Sequence, residues 1–236
     1  MLKKVNPKSG EIIVECGTGN GYLTFPIAQK VGKNGKVITY DIISENLDAV
    51  RKSNKKFNLP IEIKQQKTSY ELKEQNSSVD KVISIASFHH YDDKSKETGF
   101  SGRLKALKEF NRILKKNGKL IIGDVGKETV SSKYFNAIDN PRYCFPNGHP
   151  HYFLSEEEIK NLCEKTGFKI ESYEVVHTPW TFDNEEQAKE FLHTIHNAKC
   201  SPDESLNHAR QYLNFWEEDG KYYLDWELFY LVAVKK

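Results

Sequence analysis

Hydrophobic and polar residues along this chain follow two periods, one typical of strands and one typical of helices. Residues 12–15 and 36–40 form short apolar runs with polar flanks, as expected for buried strands. Between these runs, Ile27 and Val31 recur at helical spacing, and Gly32 ends the pattern. The start of the chain therefore predicts a strand, a helix and a second strand.

The same alternation continues through most of the chain. Further strands are predicted at residues 61–65, 81–87, 119–123, 169–177 and 222–234, with amphipathic helices between most of them. This order predicts an α/β fold, a doubly wound, mainly parallel, Rossmann-like sheet of seven strands. We expect one domain over residues 1–236, in which residues 184–219 form a helical lid inserted between the last two strands.

The composition is that of an ordinary globular protein. Of the 236 residues, 38% are hydrophobic and 29% are charged, and the net charge is only +2. This balance does not indicate a nucleic-acid partner, and no apolar run approaches the roughly 20 residues that span a bilayer. The four cysteines are far apart and form no C-x-x-C pair, so a reducing cytoplasm explains them most simply.

The most informative motif follows the first predicted strand. Gly17, Gly19 and Gly21 stand at alternate positions, soon after Glu15 closes that strand. Glycine lets the backbone turn sharply and approach a ligand closely. The spacing differs from the G-x-G-x-x-G of dinucleotide-binding proteins, which disfavours a nicotinamide-dependent dehydrogenase. A carboxylate at the mouth of the loop instead suits a ligand with a cationic group.

A second acidic residue supports a nucleoside ligand. Asp41 ends the second predicted strand, where a carboxylate is placed to accept hydrogen bonds from both hydroxyls of a ribose. A cationic group and a ribose together indicate S-adenosylmethionine (SAM). The alternative is that the glycines form an ordinary turn and that Asp41 belongs to the start of a helix.

These motifs resemble those of the class I SAM-dependent methyltransferases, especially the small-molecule branch that includes the ubiquinone and menaquinone C-methyltransferases. The resemblance is carried by residues 15–21, 40–42, 76–80, 89–90 and 113–120. It implies an antiparallel last strand, and SAM as the methyl donor with S-adenosylhomocysteine as the product. By position it implies cofactor contacts from Glu15, Gly17, Gly19, Gly21, Asp41, Ile42, Thr68, Ser69 and Ile85.

One position departs from the family pattern. Many members have an aspartate after the third strand, where it reaches the adenine amino group, whereas this chain has Thr68 and Ser69. A hydroxyl can still accept one hydrogen bond, but a neutral acceptor binds more weakly than a carboxylate. We therefore expect Thr68 to contact the adenine with a weaker bond.

The candidates for chemistry follow the fourth predicted strand. Methyl transfer requires that the acceptor be held in line and, for most acceptors, that a proton be removed. His90 is a candidate general base, and His89 is a candidate for the substrate pocket. The alternative is that these histidines cap the next helix or bind backbone.

Two later segments are candidates for covering the acceptor. Residues 134–153 are rich in aromatic residues, and residues 184–219 follow a second aromatic stretch. Long connections in these positions are typical of lids. Tyr152, Trp180 and Phe182 are therefore expected to line the substrate pocket.

The sequence leaves three functions open. The first is a methyltransferase acting on a small organic acceptor, and the second is an RNA-modifying enzyme of the same fold. The third is a non-catalytic binding or assembly module. No metal is expected, because His149 and His151 with the distant Cys144 match no recognised ligand pattern. The oligomeric state cannot be inferred from the sequence.

Overall fold

The computed structural model describes residues 1–68, 70–91, 100–139, 141–145 and 152–236. The helices of this part are α1 Leu2–Val5, α2 Thr24–Val31, α3 Ser44–Phe57, α4 Ser101–Ile113, α5 Val130–Ile138, α6 Glu156–Lys165, α7 Glu185–Ile195 and α8 Pro202–Ala209. The strands are β1 Ile12–Cys16, β2 Lys36–Asp41, β3 Ile61–Gln65, β4 Val79–Ile85, β5 Leu114–Asp124, β6 Phe168–His177, β7 Trp180–Phe182, β8 Phe215–Glu218, β9 Lys221–Leu224 and β10 Glu227–Lys235. A short 3-10 turn spans Phe88–His90.

The central element is a seven-stranded sheet with the order β3-β2-β1-β4-β5-β10-β6. Parallel pairing joins β3 to β2, β2 to β1, β1 to β4 and β4 to β5, and β10 is the antiparallel strand. The expected fold class is therefore confirmed. The strand order reverses at β1 and β4, and open α/β sheets bind ligands outside the carboxyl ends of strands at such a point.

The core next to β1 is apolar and closed to solvent. Ile13 of β1, Ile83 of β4 and Ile121 of β5 are each at most 1% exposed. They pack in one cluster with Ile27 and Val31 of α2, the residues whose helical spacing predicts that helix. Because such a core is close-packed, the residues at the strand ends are held on a firm support.

The chain divides into two compact units. Unit one comprises residues 1–124, 157–174 and 230–236, and unit two comprises residues 125–156 and 175–229. In the part of the chain that the structure describes, no helix is long and apolar enough to cross a membrane. The expectation of one domain with a lid stays a prediction.

Unit two contains a small antiparallel sheet of its own, with the order β7-β9-β8. Cross-strand aromatic pairs hold β8 to β9, since Phe215 stacks on Tyr222 with 5.8 Å between ring centroids and Trp216 on Tyr223 with 5.3 Å. Helix α8 begins with a capping box in which Ser201 and Glu204 each bind the other's backbone N–H. Unit two therefore combines helices with a sheet.

The structure differs from two of the sequence predictions. Residues 184–219 were expected to be helical, but β8 occupies the last part of that range. Residues 222–234 were expected to form one strand, but β9 and β10 are separated at Asp225 and Trp226. The backbone at this break binds other segments instead of a sheet neighbour, since Asp225 N donates to Asn214 O at 2.8 Å and Thr178 N to Trp226 O at 2.6 Å.

Arg112 at the end of α4 binds the segment between β3 and β4. Its guanidinium donates to the carbonyl oxygens of Glu74 at 2.7 Å and Leu72 at 3.1 Å, and to Asn76 Oδ1 at 2.9 Å. It also pairs with the Glu109 carboxylate at 2.8 Å, and this hydrogen bond raises the pKa of Arg112. One side chain thus fixes a long connection against a helix.

We expect Arg112→Ala to lower the free energy of unfolding by about 1–3 kcal/mol, because two carbonyl oxygens and an amide oxygen lose their donor. The control is Arg51→Ala, since Arg51 makes an exposed ion pair with Asp48 that should contribute below about 1 kcal/mol. Urea denaturation of both variants provides the measurement. Equal losses in the two variants would contradict this role for Arg112.

Candidate active site

The glycine loop begins where β1 ends, and each of its three glycines has a positive φ. The φ angles are 91° at Gly17, 52° at Gly19 and 83° at Gly21. A Cβ on Gly17 would lie 2.3 Å from Ser87 Oγ, and one on Gly21 would lie 2.8 Å from the Phe25 ring. A Cβ on Gly19 would meet no atom of the described residues within 4 Å. Packing therefore requires glycine at the first and third positions, whereas the second borders open space.

Asp41 fixes this loop from the neighbouring strand. Its Oδ2 accepts hydrogen bonds from Gly19 N at 2.9 Å and Asn46 Nδ2 at 3.2 Å. Its Oδ1 accepts one from Ile43 N at 2.9 Å. The carboxylate thus joins the ends of β1 and β2, at the edge where the sequence places the ribose.

Glu15 lies beneath the loop and is only 3% exposed. Its Oε2 accepts hydrogen bonds from the hydroxyls of Thr39, at 2.7 Å, and Thr24, at 2.5 Å. Burial is the main cause that raises its pKa to about 7, the two hydroxyls act in the opposite direction, and nearby Asp41 adds to the increase. Glu15 is therefore a buried carboxyl group whose ionised form a nearby positive charge would favour.

The expected adenine side holds exposed apolar residues and a buried hydroxyl. Ile42 and Ile43 after β2 are 54% and 49% exposed. Thr68 Oγ1, after β3, is buried without a hydrogen-bond partner among the described residues. Buried hydroxyls without a partner are costly, and an apolar residue at such an edge gains from being covered. Ser69 lies outside the described residues.

His89 follows β4 and is paired with Asp124, the last residue of β5. Its Nδ1 lies 2.6 Å from Asp124 Oδ1, and its backbone N donates to Asp124 Oδ2 at 2.8 Å. Arg103 donates to the carbonyl oxygens of Phe88 at 3.3 Å and His89 at 3.2 Å. Sequence reasoning missed Asp124 and Arg103, although the position of Asp124 at the end of an apolar strand could have indicated it.

His90 and Ile85 lie close to this pair in the chain. The His90 ring packs on the His89 ring with 4.1 Å between centroids. Desolvation and then repulsion from His89 lower the pKa of His90, so its ring is neutral at ordinary pH. Ile85 ends β4 and is half-buried. The roles expected for these two residues stay predictions.

The other expected pocket residues belong to unit two. Trp180 is 38% exposed and lies 4.8 Å, between centroids, from the Phe191 ring, whereas Phe182 is buried. Lys127 Nζ donates to the Tyr152 hydroxyl at 3.3 Å. Their contacts with an acceptor stay predictions.

Only some of the residues considered for a metal site are among those that the structure describes. Among the described residues, no group of three or more His, Cys, Asp or Glu side chains could hold a metal ion. Cys144 Sγ donates to Ile138 O at 3.1 Å. His149 and His151 lie outside the described residues, so this expectation stays a prediction.

The glycine loop and the carboxyl groups beside it agree with the result of a comparison with known protein families. The model of a family described as a methyltransferase domain matches residues 1–173. The chain belongs to this family. The methyl donor of the family is SAM, and the described residues at this edge fit it. Among them, Gly19 borders open space, the Thr68 hydroxyl is buried without a partner, and Glu15 and Asp41 supply carboxyl groups. The chain is a SAM-dependent methyltransferase.

Two known proteins and one solved structure are similar to this chain, each over a different share of its length. Over 184 residues the chain is 27% identical to the demethylmenaquinone methyltransferase of Lactobacillus johnsonii, covering 71% of this chain and 72% of that protein. A match of 53 residues is 45% identical to the tRNA (adenine(57)-N(1)/adenine(58)-N(1))-methyltransferase of Methanocaldococcus jannaschii, but it covers only 22% of this chain and 19% of that protein. The YcgJ protein of Bacillus subtilis has the same fold, with a TM-score of 0.69, 15% identity, and coverage of 100% of this chain and 96% of that chain.

We expect Gly19→Val to reduce SAM affinity by at least about tenfold, because a branched side chain would occupy the space in front of the loop. Gly10→Val is a matched control, since Gly10 also has a positive φ and open space around its Cβ position, but lies before β1. Both variants should lose about 1–2 kcal/mol of stability from the left-handed backbone. Calorimetry that finds equal SAM affinity in the two variants would remove the loop from the site.

Proposed function

We propose that this methyltransferase acts on a small organic acceptor. The observation that carries the proposal is the similarity, over 71% of this chain, to a protein whose name gives demethylmenaquinone as its substrate. The near-neutral net charge of +2 agrees with it, because enzymes that bind nucleic acid typically present strong positive charge. We further propose that the acceptor binds near the carboxyl ends of β4 and β5.

We also propose which residues contact SAM. The glycine loop and Glu15 would hold the methionine part of SAM, and Asp41 its ribose. Ile42 would pack on the adenine, with Thr68, Ser69 and the backbone of Ile85 at its edges. The support comes from the hydrogen bonds that join Asp41 to the loop and from the open space at Gly19.

When bound, SAM supplies a methyl group made electrophilic by its positive sulfonium. The chain contributes position and charge to the transfer. Asp41 keeps Gly19 in place through a hydrogen bond of 2.9 Å, and the buried Glu15 supplies a carboxylate that attracts a cation. His89 and His90 stand after β4, where they would orient the acceptor.

The experiment offers the protein tritium-labelled SAM with three probes, namely 1,4-dihydroxynaphthalene, catechol and an unmodified tRNA transcript. We expect label in at least one of the two aromatic compounds and none in the RNA. Label in the tRNA alone would overturn the proposal and favour the RNA-modifying alternative, which the short match to a tRNA methyltransferase supports. SAM binding without transfer to any probe would also contradict the proposal.

Glu15 gives SAM binding a dependence on pH. Its pKa of about 7 means that the carboxyl group is largely protonated at pH 6 and ionised at pH 8. Since a cation favours the ionised form, SAM affinity should rise several-fold between about pH 6 and pH 8, with release of a proton. Calorimetry in buffers of different ionisation enthalpy measures both quantities.

The control for this experiment is Glu15→Gln, which keeps a side-chain oxygen for Thr24 and Thr39 but cannot titrate. Any dependence on pH that belongs to the ligand remains in this variant. A wild-type pH profile identical to that of Glu15→Gln would show that Glu15 does not sense the bound cation.

A further inference from the structure

The His89–Asp124 pair joins the carboxyl ends of two neighbouring strands. Asp124 ends β5, and His89 lies in the turn that follows β4. Both are buried, with exposures of 7% for His89 and 2% for Asp124. Two contacts connect them, one from the ring Nδ1 and one from the backbone N of His89. A histidine held at two points by one carboxylate has a fixed ring orientation.

The carboxylate also determines which ring nitrogen is basic. An ionised aspartate only accepts hydrogen bonds, so with Asp124 ionised the 2.6 Å contact places a proton on His89 Nδ1. In the neutral ring the lone pair is then on Nε2. When Nε2 takes a proton, the positive charge that forms on the ring is next to the negative charge of Asp124. This arrangement is suited to accepting a proton during a reaction.

The surrounding residues stabilise the turn that carries His89. Arg103 is 1% exposed and donates to the backbone carbonyls of Phe88 and His89. The Tyr91 hydroxyl lies 3.1 Å from Ser84 Oγ, and burial raises the pKa of both Tyr91 and Cys16, so these groups stay protonated. The lowered pKa of His90 makes it a weaker base than an ordinary histidine.

We propose that His89, oriented by Asp124, removes a proton from the acceptor, and that the acceptor therefore presents a phenolic or enolic hydroxyl. This inference rests on the proposed function. The acceptor's hydroxyl proton goes to Nε2 of His89. An electron pair of the acceptor forms the new bond to the methyl carbon, and the pair of the broken carbon–sulfur bond stays on sulfur. The proton leaves His89 to solvent after the product departs.

The kinetic experiment compares His89→Gln and Asp124→Asn with the wild type, using 1,4-dihydroxynaphthalene as the probe. General base catalysis typically contributes about 100- to 10,000-fold, so kcat/KM should fall by that order in His89→Gln. In Asp124→Asn an amide N–H would face Nδ1 and reverse the tautomer, with a similar loss. SAM affinity should change by less than about threefold in both variants, since neither residue is placed at the cofactor.

The pH profile separates proton removal from a structural role. The loss in His89→Gln should shrink as the pH approaches the pKa of the probe, because an ionised hydroxyl needs no base. The exposed His177, in unit two, provides the control variant His177→Gln, which should behave as the wild type. A loss in His90→Gln with none in His89→Gln would overturn the assignment of the base.

A second measurement needs no acceptor. Long-range proton–nitrogen NMR of the free protein should show neutral His89 protonated at Nδ1, and Asp124→Asn should shift that proton to Nε2. A wild-type His89 protonated at Nε2 would overturn the inference even if a variant failed to fold. No transfer by the wild type to a hydroxyl probe would contradict the proposed function, whereas transfer that survives in His89→Gln contradicts only the role of His89.

Discussion

The site depends on a left-handed turn that the carboxylate of Asp41 holds in place. Gly19 has a φ of 52°, and its N–H donates to Asp41 Oδ2 at 2.9 Å. A second pair of bonds, from Gly17 N and Thr18 N to Tyr40 O at 2.8 and 3.0 Å, binds the same loop to the same strand. A loop tied in this way keeps little backbone freedom, so ordering it around a ligand would cost little entropy.

The seven-stranded sheet below this loop could be predicted because hydrophobic residues recur with one period in strands and another in helices. Apolar runs such as residues 12–15 and 36–40 predict strands without any knowledge of distant residues, and β1 and β2 lie where those runs predict them. The small sheet of unit two was missed for a physical reason. Tyr212, Phe215 and Trp216 have a spacing that a helix also allows, and only the pairing of β8 with β9 decides between the two forms.

Some residues of the candidate site could likewise be predicted from the sequence, and others could not. Glu15 and Asp41 could be proposed from sequence because each closes a predicted strand, Glu15 just before a recognisable glycine loop and Asp41 on the strand that follows it. Asp124 could not be connected with His89 in that way, since 35 positions separate them and their contact exists only because β4 and β5 are neighbours. The raised pKa of Glu15 was also out of reach, because burial and the threonine hydroxyls arise from the packing.

The three carboxylates at this edge have different environments, and this difference separates their chemistry. Glu15 is buried against two neutral hydroxyls and therefore gains from a positive ligand. Asp41 accepts three hydrogen bonds from N–H donors and maintains the shape of the loop. Asp124 accepts a hydrogen bond from the backbone N of His89 and lies 2.6 Å from its ring Nδ1, so a positive charge on that ring would have a counter-ion beside it. Under the proposed function, the sulfonium would lie near Glu15 of β1 and a protonated His89 ring near Asp124 of β5, so each positive charge would have a carboxylate of its own.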